Sequence, residues 1–200
     1  MSNRIELETS YYLGEDDTNI LNKIKEENFI LSEEVIEEDT YFTDKELEFV
    51  KNRICLRTRK IKEDYLELTY KPRTSDETEK YGKKEVNLKI DVKDYEDTKY
   101  MLKELGYIEY VSFKKNRKVY SKLIENFEYN IMIDSIQGVG NFIELEILAN
   151  NEEEKERLHD ELDRFVEKME CQNLKEKEKP YRDLVKEYQD NLNKKGVGNV

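Results

Sequence analysis

The sequence predicts an α+β fold in which eight antiparallel strands close into a barrel with a charged interior and helices packed outside. Three observations predict it. Eight segments alternate apolar and polar residues with period two. Other stretches carry apolar residues at helical spacing and can cover a sheet from outside. Strand after strand also gathers its charges on one face. Eight strands in one chain suggest a barrel or a sandwich, and the charged faces favour the barrel.

The alternating segments run over residues 4–11, 37–42, 53–60, 64–71, 83–90, 111–121, 127–134 and 141–148. The first contains Ile5-Glu6-Leu7-Glu8, and the same tetrapeptide returns in the last as Ile143-Glu144-Leu145-Glu146. In a strand each copy sets two apolar side chains against two carboxylates. "TNILNKIKEENF" places Ile20, Leu21 and Ile24 at helical spacing. In "ICLRTRK", Arg57 and Arg59 share a face opposite Ile54 and Leu56; in "YLELTYK", Glu67, Thr69 and Lys71 oppose Leu66, Leu68 and Tyr70. The polar stretch 72–82 reads as a hairpin loop. Beyond it "KKEVNLKI" sets Lys83, Glu85, Asn87 and Lys89 against Val86, Leu88 and Ile90.

"VKDYEDTKYMLKELGY" reads as a helix with Tyr95, Tyr100, Met101 and Leu105 on one side and a stop at Gly106. "FKKNRKVY" aligns Lys115 with Arg117, and "YNIMIDS" places Met132 and Asp134 opposite Ile131 and Ile133. "QGVGN" at 137–141 is a tight glycine turn. A further helix carries Leu158, Leu162, Phe165 and Met169. A charged connector then leads to a short helix starting near Pro180. After about Asp190 the tail has nothing to bury, so residues 1–189 form one domain and 190–200 are expected to be disordered.

Charge is abundant: 41% of the 200 residues are Asp, Glu, Lys or Arg, and 35 basic against 47 acidic residues leave a net charge of -12. Such a balance argues against nucleic-acid binding, which rewards a positive face. Cys55 and Cys171 are far apart and lie in no metal-ligand pattern, so reduced thiols are expected. No apolar leader follows Met1 and no run approaches membrane-spanning length, which gives the expectation of a cytoplasmic protein without membrane partners. The single histidine, His159, sits in an acidic helical stretch as a surface residue, so the usual general base is missing.

If the helices cover the apolar faces, the charged faces turn toward each other. The interior then holds Glu6, Glu8, Glu85, Asp134, Glu144 and Glu146 beside Arg57, Arg59, Lys71, Lys115 and Arg117. Desolvation commonly cancels the Coulomb gain of buried pairs, so stability alone is no reason for this pattern. Clustered carboxylates bind a hard divalent cation, and facing arginines and lysines bind phosphate oxygens. A metal-bound polyphosphate needs both. An open sheet with solvated charged faces is the competing arrangement, and it leaves unexplained why consecutive strands choose the same face.

Taken in order, "IELETS", "DTYF", "LRTRK", "LTYKP", "KKE", "LGY", "KKNRKVY" and "IMIDSIQGVGNFIELEI" resemble the CYTH, or triphosphate tunnel metalloenzyme, superfamily over roughly residues 3–185. The similarity is greatest to its class IV adenylate cyclase-like branch. That resemblance implies an eight-stranded antiparallel tunnel holding a divalent metal, Mg or Mn, and a triphosphate. It implies Glu6, Glu8, Glu144 and Glu146 as metal ligands, with Arg57, Arg59, Lys71, Lys115 and Arg117 as the triphosphate clamp. Lys71 and Asp134 become the catalytic residues, Lys83 and Glu85 accessory ones, and a homodimer is implied as well. The family's ExExK signature departs here, because Ser10 stands in the lysine position.

The function expected first is conversion of ATP to cyclic AMP and pyrophosphate. The alternative is hydrolysis of a nucleoside or inorganic triphosphate in the same site. A third is a non-catalytic polyphosphate or nucleotide binder, motivated by Ser10.

Overall fold

A computed structural model describes residues 5–15, 17–61, 65–73, 85–149 and 155–196. All eight expected strands are present: β1 (Ile5–Leu13), β2 (Ile30–Thr43), β3 (Cys55–Ile61), β4 (Tyr65–Lys71), β5 (Val86–Ile90), β6 (Ile108–Ile124), β7 (Phe127–Ile136) and β8 (Gly140–Ala149). They form one antiparallel sheet in the order β1-β8-β7-β6-β2-β3-β4-β5. The two copies of the repeated tetrapeptide are therefore neighbouring strands, with Glu8 opposite Glu146 and Ser10 opposite Glu144.

The expected closure into a barrel does not occur. β1 pairs with β8 and β5 with β4, and among the described residues no ladder joins β1 to β5. Part of the free edge of β1 is already occupied: the amide of Tyr12 donates to the Lys175 carbonyl at 2.8 Å, and the amide of Lys177 donates to the Ser10 carbonyl at 2.8 Å. The opposite edge, β5, has only 5 residues, against 14 in β2 and 17 in β6. Alternation tells which face a side chain takes and carries no information on whether two edges meet.

Covering of the apolar face follows the sequence pattern. Helices α1 (Thr18–Glu26) and α4 (Lys155–Lys168) lay Ile20, Ile24, Leu158, Leu162 and Phe165 on Ile131 of β7 and on Ile143, Leu145 and Ile147 of β8. Tyr11 and Leu13 of β1 join the same cluster, so β1, β7 and β8 each keep one dry face and one charged face. A smaller cluster forms behind the other half of the sheet, where α3 (Tyr95–Glu104) packs Leu102 on Phe42 and Leu56, with the one-turn α2 (Glu48–Lys51) beside it; here the sequence pattern misleads, because Tyr100, Met101 and Leu105, expected on the packed side, are exposed and α3 buries Thr98 and Leu102 instead.

The last helix does something different. α5 (Tyr181–Gly196) packs Tyr181 and Val185 on Tyr41, Val111, Ile136 and Phe142, closing one end of the charged face. It begins directly after Pro180, as expected, and continues past Asp190 to Gly196. Once the buried first half is docked, each further residue adds a hydrogen bond without a new nucleation cost. Residues 197–200 lie outside the described residues.

Gly138, in the β7–β8 turn, lets α5 approach this closely. Its φ is +76°, and a Cβ built there would stand 2.2 Å from the Tyr188 hydroxyl and 2.3 Å from the ring carbon that bears it. Gly138→Ala is therefore expected to destabilise the protein by about 1–3 kcal/mol, from left-handed strain plus displacement of Tyr188. Denaturant unfolding with hydrogen exchange on α5 checks this. An unchanged midpoint with unchanged α5 protection would show that the helix is not held at that turn.

Candidate active site

The charged side chains converge on one cavity of about 450 Å³. β1 and β8 contribute Glu6, Glu8, Ser10, Glu144 and Glu146; β3, β4 and β6 contribute Arg57, Arg59, Lys71, Lys115 and Arg117; Glu85 reaches in from just before β5. Of the residues expected in the interior, Asp134 alone is absent from the lining and lies beneath it, fully buried. Lys83 lies outside the described residues. The edges of the open sheet communicate through side chains: Glu8, Glu85 and Glu6 hold the pKa of Lys71 above its usual value although burial works against the charged form.

The acidic half has a specific geometry. Glu6, Glu8 and Glu146 each bring one carboxylate oxygen within 4.8 Å of the others. Three oxygen donors at that spacing suit a hard divalent cation. Glu144, beside this trio but not part of it, lies 3.5 Å from Nη2 of Arg117. Like charges this close resist simultaneous ionisation. Burial, and then Glu146, push the Glu6 carboxyl up to about 7. Repulsion from Glu144, followed by burial, does the same for Glu8. Burial raises Glu146 as well, opposed by a hydrogen bond from the Asn130 amide at 2.9 Å.

The basic half rests on a second layer of acids. Arg59 donates to both oxygens of Asp39, at 2.7 and 2.8 Å, and its Nη1 lies 3.1 Å from Glu37. Arg117 grips Asp134 in the same forked manner, at 2.7 and 2.6 Å. Lys115 lies 2.9 Å from Glu37 and 3.5 Å from Asp134, and Lys71 lies 2.5 Å from Glu85. The contacts to Glu37 are close but misaligned, because its Oε2 makes no hydrogen bond. Burial opposes ionisation of Asp39 and Asp134, but their cationic neighbours prevail and hold both at about 2.

Arg57 is the least committed cation of the row. Its contacts are the Tyr41 hydroxyl at 3.3 Å, Asp39 at 3.9 Å and Glu85 at 4.0 Å, and its buried Nε has no hydrogen-bond partner. A guanidinium with spare donors facing a cavity can grip an oxyanion through two parallel bonds.

Sequence reasoning missed Glu37 and Asp39. The alternation through "EVIEEDTYF" carried their signal, since it sets Glu37, Asp39 and Tyr41 on one face. It also missed the stretch Lys177–Arg182, which lines the cavity from outside the sheet. Its first part, Lys177–Pro180, is irregular and has no periodicity to detect. Tyr181, within that stretch, donates its hydroxyl to Asp134 at 2.8 Å.

Residues 4–181 match the CYTH domain. The chain is 26% identical over 148 residues to MJ0240 of Methanocaldococcus jannaschii, which carries the provisional name of adenylate cyclase; the match covers 74% of this chain and 80% of that protein. PH1819 from Pyrococcus horikoshii is similar in structure with a TM-score of 0.69 and 26% identity, covering 91% of this chain and 98% of that one. HpAC1 from Hippeastrum, described as a candidate adenylyl cyclase with a dominant triphosphatase activity, shares the fold at a TM-score of 0.58 and 14% identity, with 83% and 87% covered. Among the described residues no helix is long and apolar enough to cross a membrane.

The two kinds of carboxylate predict opposite pH responses. Glu6 and Glu8, raised from 4.5 to about 7, favour the folded state below pH 4.5, and that contribution is lost as pH rises through 7. Asp39 and Asp134, lowered from 3.8 to about 2, contribute stability above pH 3.8 that is lost as pH falls toward 2. Metal-free protein is therefore expected to melt highest in mildly acidic buffer and lower at neutral pH, with Glu8→Gln flattening the neutral-side decline. Thermal melts in chelator across the pH range check this, and a neutral-side decline identical in both proteins would refute the assignment.

Proposed function

The chain belongs to the CYTH family, in its adenylate cyclase-like branch, and on that premise we propose that it is a divalent-metal-dependent enzyme that hydrolyses a triphosphate. One observation carries the proposal: the Glu6–Glu8–Glu146 trio and the row of Arg57, Lys71 and Arg117 share a single cavity. Carboxylates alone would suit a metal and cations alone would suit any anion. Together they suit a metal-bound polyphosphate.

In this reading Glu6, Glu8 and Glu146 hold Mg or Mn, with Glu144 beside them. The cation, when bound, neutralises phosphate oxygens and polarises the bond to be broken. Arg57, Arg59, Lys71, Lys115 and Arg117 fix the non-bridging oxygens and stabilise charge on the leaving group. Asp134, Asp39 and Glu37 act as positioning residues, because the cations they hold are aimed before substrate arrives. Lys71, whose charge Glu8, Glu85 and Glu6 favour, links the basic row to the acidic wall. A water oxygen bonds to the terminal phosphorus, the bridging P–O bond breaks, and orthophosphate and a diphosphate leave.

Hydrolysis is favoured over cyclisation by the aromatic lining. Forming cyclic AMP requires the base and ribose to be seated so that the 3'-hydroxyl reaches the α phosphorus. Tyr41 and Tyr181 line the cavity, but their rings are committed elsewhere: Tyr41 stacks on Phe113 at 5.9 Å, and Tyr181 meets Phe142 edge-on at 5.0 Å. Each ring thus already packs against another within the protein, and Tyr181 also carries the ammonium of Lys177 at 4.4 Å. The name carried by MJ0240 favours the cyclase as the second reading.

Incubation with ATP, and separately with inorganic triphosphate, in Mg or Mn is expected to release orthophosphate. Glu8→Gln should lower that metal-dependent turnover about 100-fold or more while leaving the metal-free protein folded. Cyclic AMP with pyrophosphate would establish the cyclase instead. No product, with metal-dependent thermal stabilisation by triphosphate, would reduce the site to a binder.

A further inference from the structure

The charged face of β1 runs Glu6, Glu8, Ser10, and its last position in the cavity carries only a hydroxyl. Directly opposite Ser10 on β8 stands Glu144. This end of the wall therefore contributes a carboxylate from β8 and no cation from either strand. A cation nevertheless enters the cavity here, from a part of the chain outside the sheet.

Residues 175–177 lie along the free edge of β1 as a short antiparallel pairing, with Tyr11 opposite Glu176. The two backbone bonds that flank this bridge pair Tyr12 with Lys175 and Ser10 with Lys177. In an antiparallel pair, residues directly opposite each other project to the same face. The side chain of Lys177 thus emerges beside that of Ser10, into the cavity that both line.

The contacts of Lys177 mark it as uncommitted. Its ammonium sits 4.4 Å from the centre of the Tyr181 ring and donates to the Lys179 carbonyl at 3.3 Å. Among the described residues it forms no ion pair, whereas Lys71, Lys115, Arg59 and Arg117 each press on a carboxylate. Lys179 lines the same cavity but sets its charge against Glu187 at 2.5 Å. Tyr181 is itself held by Asp134, and Lys115 lies 5.1 Å from the same ring, so the perch of Lys177 is tied to the basic row.

We propose that Lys177 is a further phosphate-binding residue of the site, delivered by the C-terminal segment to the place where Ser10 leaves β1 without a charge, and that it contacts a non-bridging oxygen of the bound triphosphate. The proposal rests on the triphosphate function inferred above. It assigns the chain between α4 and α5 a part in binding, and it makes edge pairing on β1 the means by which that lysine is placed.

Calorimetric titration of inorganic triphosphate in the presence of Mg tests it, with Mn titrated alone as the separate measure of the metal site. Lys177→Ala is expected to weaken triphosphate binding about 10- to 100-fold, the range for one charge-assisted hydrogen bond, and to leave Mn affinity unchanged. Lys177→Arg should stay within a few-fold of the native protein. The double variant S10K/K177A, which returns the charge to β1, should recover most of the loss, whereas Ser10→Lys alone should bring little gain. If the native protein binds triphosphate only with metal and Lys177→Ala binds it equally well, this proposal falls and the triphosphate function stands. An equal loss of Mn affinity in Lys177→Ala, or no recovery in the double variant, would assign Lys177 a structural role instead. If the native protein binds no triphosphate at all, both fall together.

Discussion

The carboxylate of Asp134 is the point on which the candidate site depends. Fully buried beneath the cavity, it accepts two hydrogen bonds from Arg117 and one from Tyr181, and lies 3.5 Å from Lys115. An isolated carboxylate there would be very costly; surrounded by cationic donors it stays ionised. Removing one partner of such a group leaves the others buried without compensation, a loss of about 3–5 kcal/mol. Asp134 therefore joins three things at once: β7, the basic row of β6, and the first residue of α5.

Glu37 and Asp39 repeat the arrangement under β2 and β3. The result is two charged layers, acids below and bases above, with only the upper layer facing the cavity. Each guanidinium is held in a fork before any ligand arrives, so little orientation remains to be done on binding. Arg57 departs from the rule, with long contacts and an unpaired Nε. A cation held loosely among rigid ones is well placed to close on a ligand. The carboxylate trio stores the opposite kind of unfinished interaction. Burial and the repulsion of neighbouring carboxylates, Glu144 included, raise the pKa values of Glu6 and Glu8, and a proton or a cation relieves both.

The charged face forms a site although the sheet stays open. Helices α1 and α4 fix the dry face of β1, β7 and β8, which obliges the acidic residues of β1 and β8 to point the other way. Segment 175–177 then occupies part of the edge that a closed barrel would have used, and α5 covers one end of the same face. Opposite charges on long side chains span the remaining gap, Lys71 toward Glu6 and Glu8. The C-terminal part of the chain thus takes over at that edge, and it adds Lys177 and Tyr181 to the lining.

The sequence by itself determined the number of strands, the face the charged residues of the cavity take and the packed faces of α1 and α4, though not that of α3. These follow from periods of two and 3.6 residues, which local stereochemistry imposes whatever the surroundings. It therefore located Glu6, Glu8, Glu146, Arg57, Lys71 and Arg117, and the pairing of the two Ile-Glu-Leu-Glu strands agrees with their shared pattern. Only the tertiary structure decided that the sheet stays open, that Glu144 turns from the carboxylate trio toward Arg117, that Asp134 lies under the cavity, and that α5 extends to Gly196. It alone brought in Lys177. Edge pairing, second-layer ion pairs and helix docking join residues far apart in the chain, and no local period records which distant group will satisfy a given edge or charge.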